Sequence, residues 1–335
     1  MGKNKAMTAL LACTLALQAP VAAGAAAPAD NTAAKAVASS ENTLQNAARK
    51  NGFRYESGKF YYYVNGVKLK NSGELSGIFQ SVLFCPEDLY LIREGAAARR
   101  GFLDDCICQL RPRYALALAE YRRLHEHKTR ILRDSEEKPS LLDTLDEFSL
   151  GMAKAGALLI HYRAHFIKRL CQAAPAIHGD FSGGREQLTL KYETVSTVTD
   201  PEAEPQVIFQ QLLQHQESHR AAEIASRQCL SGPHKDDLLV EIDGRAAKSF
   251  ASQGQTRTAA LSLKLAAREI FQQDTGEYPV LLLDDVLSEL DETRQSYLLS
   301  RMEHRQTIVT ACDPDLFRRT SGRVYRMEGG ILHAL

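Results

Sequence analysis

The stretch that most constrains the fold is a run of four large aliphatic side chains, Val280-Leu281-Leu282-Leu283, closed by two carboxylates, Asp284-Asp285. A strand with apolar residues at consecutive positions has no polar face, so both its faces must be covered, as in a parallel sheet flanked by helices. Ligands of open α/β sheets sit beyond the carboxyl ends of the strands. A carboxylate pair at that end can hold Mg²⁺ and orient a water. For the run on its own, an ordinary core strand leading into a helix cap is the competing reading. Tyr278-Pro279 marks the entry to the strand, Ser288-Glu289-Leu290-Asp291 reads as a tight polar turn, and a helix opens near Glu292.

Just upstream, Ser252-Gln253-Gly254-Gln255 precedes a helical run over residues 256–271. Ala259, Leu261, Leu263, Leu265, Ala266 and Ile270 give that run a wide apolar face. Ser252 is a natural N-cap, and Gln255 three positions on completes the spacing of a capping box. A helix start of this kind presents backbone N–H groups and the positive end of the dipole, which suit a phosphate. A plain helix cap would explain the tetrapeptide alone; the acid-ended strand that follows favours the phosphate reading.

Ser-x-Gly-Gln, a helix, an aliphatic strand ending in two acids and a Ser-x-Leu-Asp turn resemble, in that order, the signature helix, Walker B strand and D-loop of ABC-type ATPases. The spacing from Gln255 to Asp284 is longer than in transporter ATPases and is similar to that of the SMC and RecF branch. SQGQTRTAALSLKLA at 252–266 and PVLLLDDVLSELD at 279–291 resemble the RecF family of bacterial DNA replication and repair proteins. So do SGPHKDDL at 231–238, FCPEDLYLI at 84–92 and RRGFLDD at 99–105. The resemblance covers roughly residues 58–330 and implies an α/β fold: an ABC-type P-loop NTPase-like head, incomplete at its amino end, with an inserted helical lobe or arm.

The chain's 335 residues suit two domains or one large domain with an insertion. Lys plus Arg equals Asp plus Glu, 41 each, so there is no global positive charge and any DNA contact must be a local patch. Seven cysteines, scattered and without a C-x-x-C pair, argue against a disulfide scaffold and a zinc site, and fit a reducing cytosol. Cys106 and Cys108 would point to different faces of a helix. At the amino end, Lys3 and Lys5 precede an apolar stretch at 7–17 and an Ala-rich tract, as in a secretory signal. A non-native or low-complexity segment is the alternative, and it agrees better with the blocks that follow. No segment approaches the length of a membrane span. The phosphate-cradling G-x-x-x-x-G-K-[ST] loop expected of this class does not occur. Gly2-Lys3-Asn4 is either the stub of one or a coincidence.

Further along, Phe60-Tyr61-Tyr62-Tyr63-Val64, Asn65-Gly66 and Val67-Lys68-Leu69 read as a hairpin. Residues 78–84 form a strand ending at Cys85-Pro86, after which Glu87 and Asp88 are placed either to couple the site to the lobe or simply to cap the next helix. Residues 96–220 are mostly helical: 96–110, then 114–133, about 30 Å long, with 141–170 returning as an antiparallel arm. Arg99, Arg100, Arg122, Arg123, Lys128 and Arg130 are candidate phosphate contacts for DNA on that arm, against the competing reading of a solvated helix face carrying Glu120 and Glu126. His161, His165, His178, His215 and His219 include two i,i+4 pairs and read as polar helix faces rather than metal ligands. Residues 188–192 form a strand, 194–205 a polar connection, and after Ser231-Gly232-Pro233-His234 the chain returns to the sheet at 238–242. The domains are then 1–50, an atypical Ala-rich segment; 51–95, the amino-terminal part of the head; 96–220, the helical lobe or arm; and 221–335, the carboxy-terminal head.

The resemblance implies ATP and Mg²⁺ as cofactors and catalytic roles for Asp284 and Asp285. Asp284 would be the Mg²⁺ ligand and Asp285 would position the attacking water. Ser252, Gly254, Gln255 and Asp291 would contact nucleotide across an ATP-dependent homodimer. It also implies a cytoplasmic clamp on single- and double-stranded DNA, active in DNA damage and the SOS response, that helps load RecA with RecR and RecO. A non-enzymatic DNA- or partner-binding remnant and an ATPase subunit of another ABC type are the alternatives.

Overall fold

Two patterns of apolar residues, continuous and alternating, sort the strands of this chain into different sheets. The computed structural model describes residues 52–56, 59–64, 66–70, 76–302, 306–312, 322–328 and 331–334, in two compact units, Met1–Leu75 and Ser76–Leu335. The signal-like segment and the Gly2-Lys3-Asn4 stub lie outside the described residues.

In the first unit, β1 (Gly52–Glu56), β2 (Lys59–Val64) and β3 (Val67–Lys68) form an antiparallel meander. Val64 pairs with Val67 in register; Asn65 of the expected two-residue turn lies outside the described residues.

The second unit holds a parallel sheet in the order β4 (Ser81–Phe84), β8 (Val280–Asp284), β9 (Thr307–Thr310). The aliphatic run occupies the middle strand, where Leu281, Leu282 and Leu283 are all 0% exposed. Leu282 lies between Leu83 and Ile308, and Asp284 pairs with Thr310 at the carboxyl end.

The strand at 238–242 does not join this sheet. β6 (Asp237–Ile242) lies between β5 (Leu188–Glu193) and β7 (Arg245–Ala246) in a separate antiparallel sheet. The reason is in its pattern: Leu238, Val240 and Ile242 are buried and their neighbours half-exposed, so the strand has only one apolar face to cover. A hairpin of β10 (Tyr325–Glu328) and β11 (Ile331–Ala334) follows near the carboxyl end.

Between β4 and β8 come α1 (Leu89–Arg93), α2 (Ala96–Leu110), α3 (Pro112–Asp134), α4 (Leu145–Ser182), α5 (Pro205–Ser226), α6 (Ala247–Phe250) and α7 (Gln253–Thr275); α8 (Glu292–Ser300) joins β8 to β9. The returning helix, expected over 141–170, starts after a 3₁₀ turn at Pro139–Thr144 and runs to Ser182. It continues through Pro175 because Ile177 and Phe181 still bury apolar surface beyond it. The lobe is packed rather than a bare arm. Leu132 of α3, Leu145 of α4 and Cys229 form a small core at its far end. One larger core continues from Phe84 and Leu283 in the sheet through Leu263 of α7 to Leu103, Leu118 and Leu159 of the lobe. On α4, Gly156 allows a close approach, since a Cβ there would stand 3.0 Å from Pro233 Cδ.

Candidate functional site

The sheet delivers both acids to one place. Thr310 Oγ1 donates to Asp284 Oδ1 at 2.6 Å. The Asp285 amide donates to the Thr310 carbonyl at 3.1 Å and to its hydroxyl at 3.2 Å. Asp285 itself has φ +51, a left-handed conformation that a non-glycine residue adopts at a cost of about 1–2 kcal/mol. The chain therefore turns sharply off the strand end, and Ser288 Oγ steadies the Asp285 carboxylate at 3.0 Å. Thr310 was absent from the sequence-based site. Its only sequence signal is its place at the end of the short β-branched run Thr307–Thr310.

The α7 cap forms as its spacing requires. Ser252 Oγ accepts from the Gln255 amide at 3.2 Å, and Gln255 Oε1 accepts from the Ser252 amide at 2.9 Å. The amides of Gln253 and Gly254 belong to the first helical turn, where no carbonyl four residues back can receive them. Behind the cap, Thr256, Thr258 and every residue from Ala259 to Leu263 are buried, so the helix start is held by a core helix.

That start is tied to the turn after β8 in the same chain. Arg257 pairs with the Glu289 carboxylate at 2.7 Å and donates to its carbonyl at 3.0 Å. Arg294 Nη1 lies 3.9 Å from where a Cβ on Gly254 would stand, and it pairs with Asp291 at 2.6 Å. Asp291 also caps α8 by accepting from the Arg294 amide at 2.9 Å, and this bond holds its carboxyl below the usual range. Within one chain, then, Asp291 serves as a helix cap. Further down α7, Lys264 pairs with Asp88 and donates to the Leu83 carbonyl, linking α7 to the end of β4. Asp88 also accepts from the Cys85 amide at 2.9 Å, closing the turn there. Burial and the Asp88 charge push the Cys85 thiol up to about 12, so it stays protonated.

The donor set fits the nucleotide chemistry. Asp284 and Asp285 each keep one carboxylate oxygen outside the contacts described above, and Mg²⁺ needs only one or two carboxylates alongside phosphate oxygens and waters. Among the described residues no larger His, Cys, Asp or Glu cluster forms that could hold a metal by itself. The capped start of α7 offers amides, the Ser252 hydroxyl and the Gln255 amide nitrogen to a phosphate.

The candidate DNA contacts divide. Arg99 is 5% exposed and grips Asp237 through two bonds of 2.6 and 2.8 Å. Lys128 is 0% exposed, its Nζ 2.6 Å from Glu223 without the alignment of a hydrogen bond. Both face inward, so neither stands on a phosphate-tracking surface; long basic side chains near the lobe's packing seams find buried carboxylates there. Arg100 is half-buried and donates to the Asp236 carbonyl at 2.6 Å. Arg122, Arg123 and Arg130 are exposed, the last two paired with Glu120 and Glu126.

No family model matches the chain. The DNA replication and repair protein RecF of Acetivibrio thermocellus is 39% identical to it over 280 residues, 82% of this chain and 76% of the relative. The chain belongs to the RecF family. A solved structure of the recombination mediator protein RecF–ATPrS in the RecFOR pathway matches it with a TM-score of 0.77 and 33% identity, covering 85% of this chain and 76% of that one. The RecF–ATP structure gives 0.76 and 33%, covering 84% and 75%. The fold is accordingly that of an ABC-type ATPase head, as in RecF. Among the described residues no helix is long and apolar enough to cross a membrane.

Proposed function

We propose that this RecF-family chain acts as one face of an ATP-gated clamp on DNA. The observation that carries the reading is the paired acid end of β8, braced by Thr310, followed by a turn that Glu289 ties to α7 through Arg257. Asp284 would hold Mg²⁺, which when bound neutralises charge on the phosphates. Asp285 would orient the attacking water, and Ser252, Gly254 and Gln255 would meet the γ-phosphate of nucleotide bound to a second subunit. The sequence carries no glycine-rich lysine loop, so the proposal includes weak nucleotide binding by this chain alone and engagement of nucleotide held by another RecF-type subunit. RecR and RecO are the proposed partners, with RecA loading at single-strand gaps the proposed outcome.

Sedimentation of the purified chain with and without a full-length RecF, in ATP and Mg²⁺, tests this. Nucleotide-dependent association that is lost in Ser252→Arg is the expected result. Association that ignores nucleotide and survives Ser252→Arg would instead favour the second reading, a non-enzymatic partner-binding protein, which the missing loop supports.

A further inference from the structure

A pocket of about 250 Å³ opens among α2, α3, α4 and the Gly232-Pro233-His234 segment, and it shares no residue with the acidic strand end or the α7 cap. Its polar walls come from Arg100, Arg122, Arg163, Tyr121, His125, His234 and the carboxylate of Asp104. The floor is tightly constructed. Gly232 sits at φ +128, and a Cβ there would stand 2.4 Å from the Tyr121 hydroxyl, so the segment can press onto α3 only with glycine at this place. Arg163 Nη1 holds the Pro233 carbonyl at 2.8 Å. His234 Nε2 lies 2.9 Å from the Cys229 carbonyl, which can only accept, so that nitrogen carries the proton. Nδ1 must then accept, and the Tyr121 hydroxyl donates to it at 2.7 Å. Both ring nitrogens of His234 are thereby used.

The remaining donors point to the ligand. Arg163 is occupied by Asp104, Asp236 and the Pro233 carbonyl. Arg100 gives one N–H to the Asp236 carbonyl, leaving most of its five donors uncommitted. Burial and the neighbouring Arg163 charge both disfavour its charged form. Arg122 stands at the rim, its side chain 66% exposed, with a single 3.2 Å bond to Asp104. The His125 ring lies 4.5 Å from that of His234, and its nitrogens have no hydrogen-bond partner among the described residues. The three guanidinium groups lie among the carboxylates of Asp104, Asp236 and Asp237, the last gripped by Arg99, with the Lys235 charge close to both imidazoles.

We propose that this pocket binds a phosphate group through Arg100, Arg122 and the His125 imidazole. Multiple guanidinium donors suit a tetrahedral oxyanion, and a bound anion would relieve the repulsion between Arg100 and Arg163. A free phosphate or small phosphate ester and a phosphodiester of DNA offer the same chemistry. Calorimetric titration of the full chain with inorganic phosphate, in a buffer free of other oxyanions, is the test. Phosphate should bind the unaltered chain, and Arg100→Gln and Arg122→Gln should each weaken it by about tenfold, the loss of one charge-assisted hydrogen bond. Lys191→Gln, on the exposed face of β5 and away from the pocket, should bind as the unaltered chain does. If phosphate displaces a labelled short duplex, and Arg122→Gln weakens the duplex too, DNA is the source; duplex binding indifferent to both assigns the site to a small ligand. Absence of phosphate binding, or affinity unchanged in both Arg100→Gln and a normally folded Arg122→Gln, overturns the proposal.

Discussion

Several buried charged and imidazole groups in this lobe each lie against a specific partner, so single substitutions there should be costly. Burial holds the His234 imidazole down to about 3, against an ordinary value of 6.5. Below about pH 6.5 the unfolded chain takes up a proton here that the folded chain refuses until about pH 3, so stability falls as pH drops through that window. His125, His178 and His215 are lowered in the same direction, also chiefly by burial. Between pH 7 and pH 5 the His234 contribution is about 2 kcal/mol. Urea unfolding at the two pH values should show His234→Gln losing about that much of the difference. Lys128 and Glu223 are 0% and 1% exposed, and the Glu223 carboxylate also receives the Leu230 amide at 2.7 Å. Removing only the cation, in Lys128→Met, strands a buried carboxylate and should cost about 3–5 kcal/mol in the same assay. Nothing local in the sequence distinguished Lys128 or Arg99 from the exposed arginines. Each is a basic residue on a helix, and what decides its role is a carboxylate far along the chain that packing brings opposite.

Among the elements, α7 was the most legible, because one helix start carries a capping box at the required spacing and one run carries apolar residues on nearly every face. The reciprocal Ser252 and Gln255 bonds follow from those positions alone. Ser252→Ala should destabilise the chain by about 1 kcal/mol, read as a lower thermal midpoint, while association with nucleotide-loaded RecF weakens independently of that loss. Thr310 is the counterpart that spacing did not reveal. Its hydroxyl braces Asp284 and its backbone receives Asp285, so Thr310→Val should lower any ATP-dependent association or hydrolysis by about tenfold or more, with Thr310→Ser restoring it. An unaltered Thr310→Val would remove the positioning role assigned to the hydroxyl. The extent of α4 and the sheet that receives β6 were misjudged for a shared reason: both depend on which surface lies opposite, Ile177 and Phe181 needing cover beyond Pro175, and β6 needing a partner for a single apolar face.

Across the whole molecule, the head and the lobe share a core that extends from Leu283 through Leu263 to Leu159. A cavity in α7 should therefore loosen both regions. Leu263→Ala should cost about 2–5 kcal/mol and lower amide-exchange protection in β8 and α4 together, whereas a loss confined to β8 would show that they open separately. The sequence by itself determined the parallel core strand and its acids, the capped helix and the order of the family's blocks, since each depends on residues a few positions apart. Only the tertiary structure decided that Thr310 braces the acids, that Arg257 ties the helix start to the following turn, that Arg99 and Lys128 face inward, and that Tyr121, His125 and His234 close around one pocket. Those outcomes rest on contacts between segments tens to well over a hundred residues apart, and their partners are chosen by packing geometry, which no local spacing encodes.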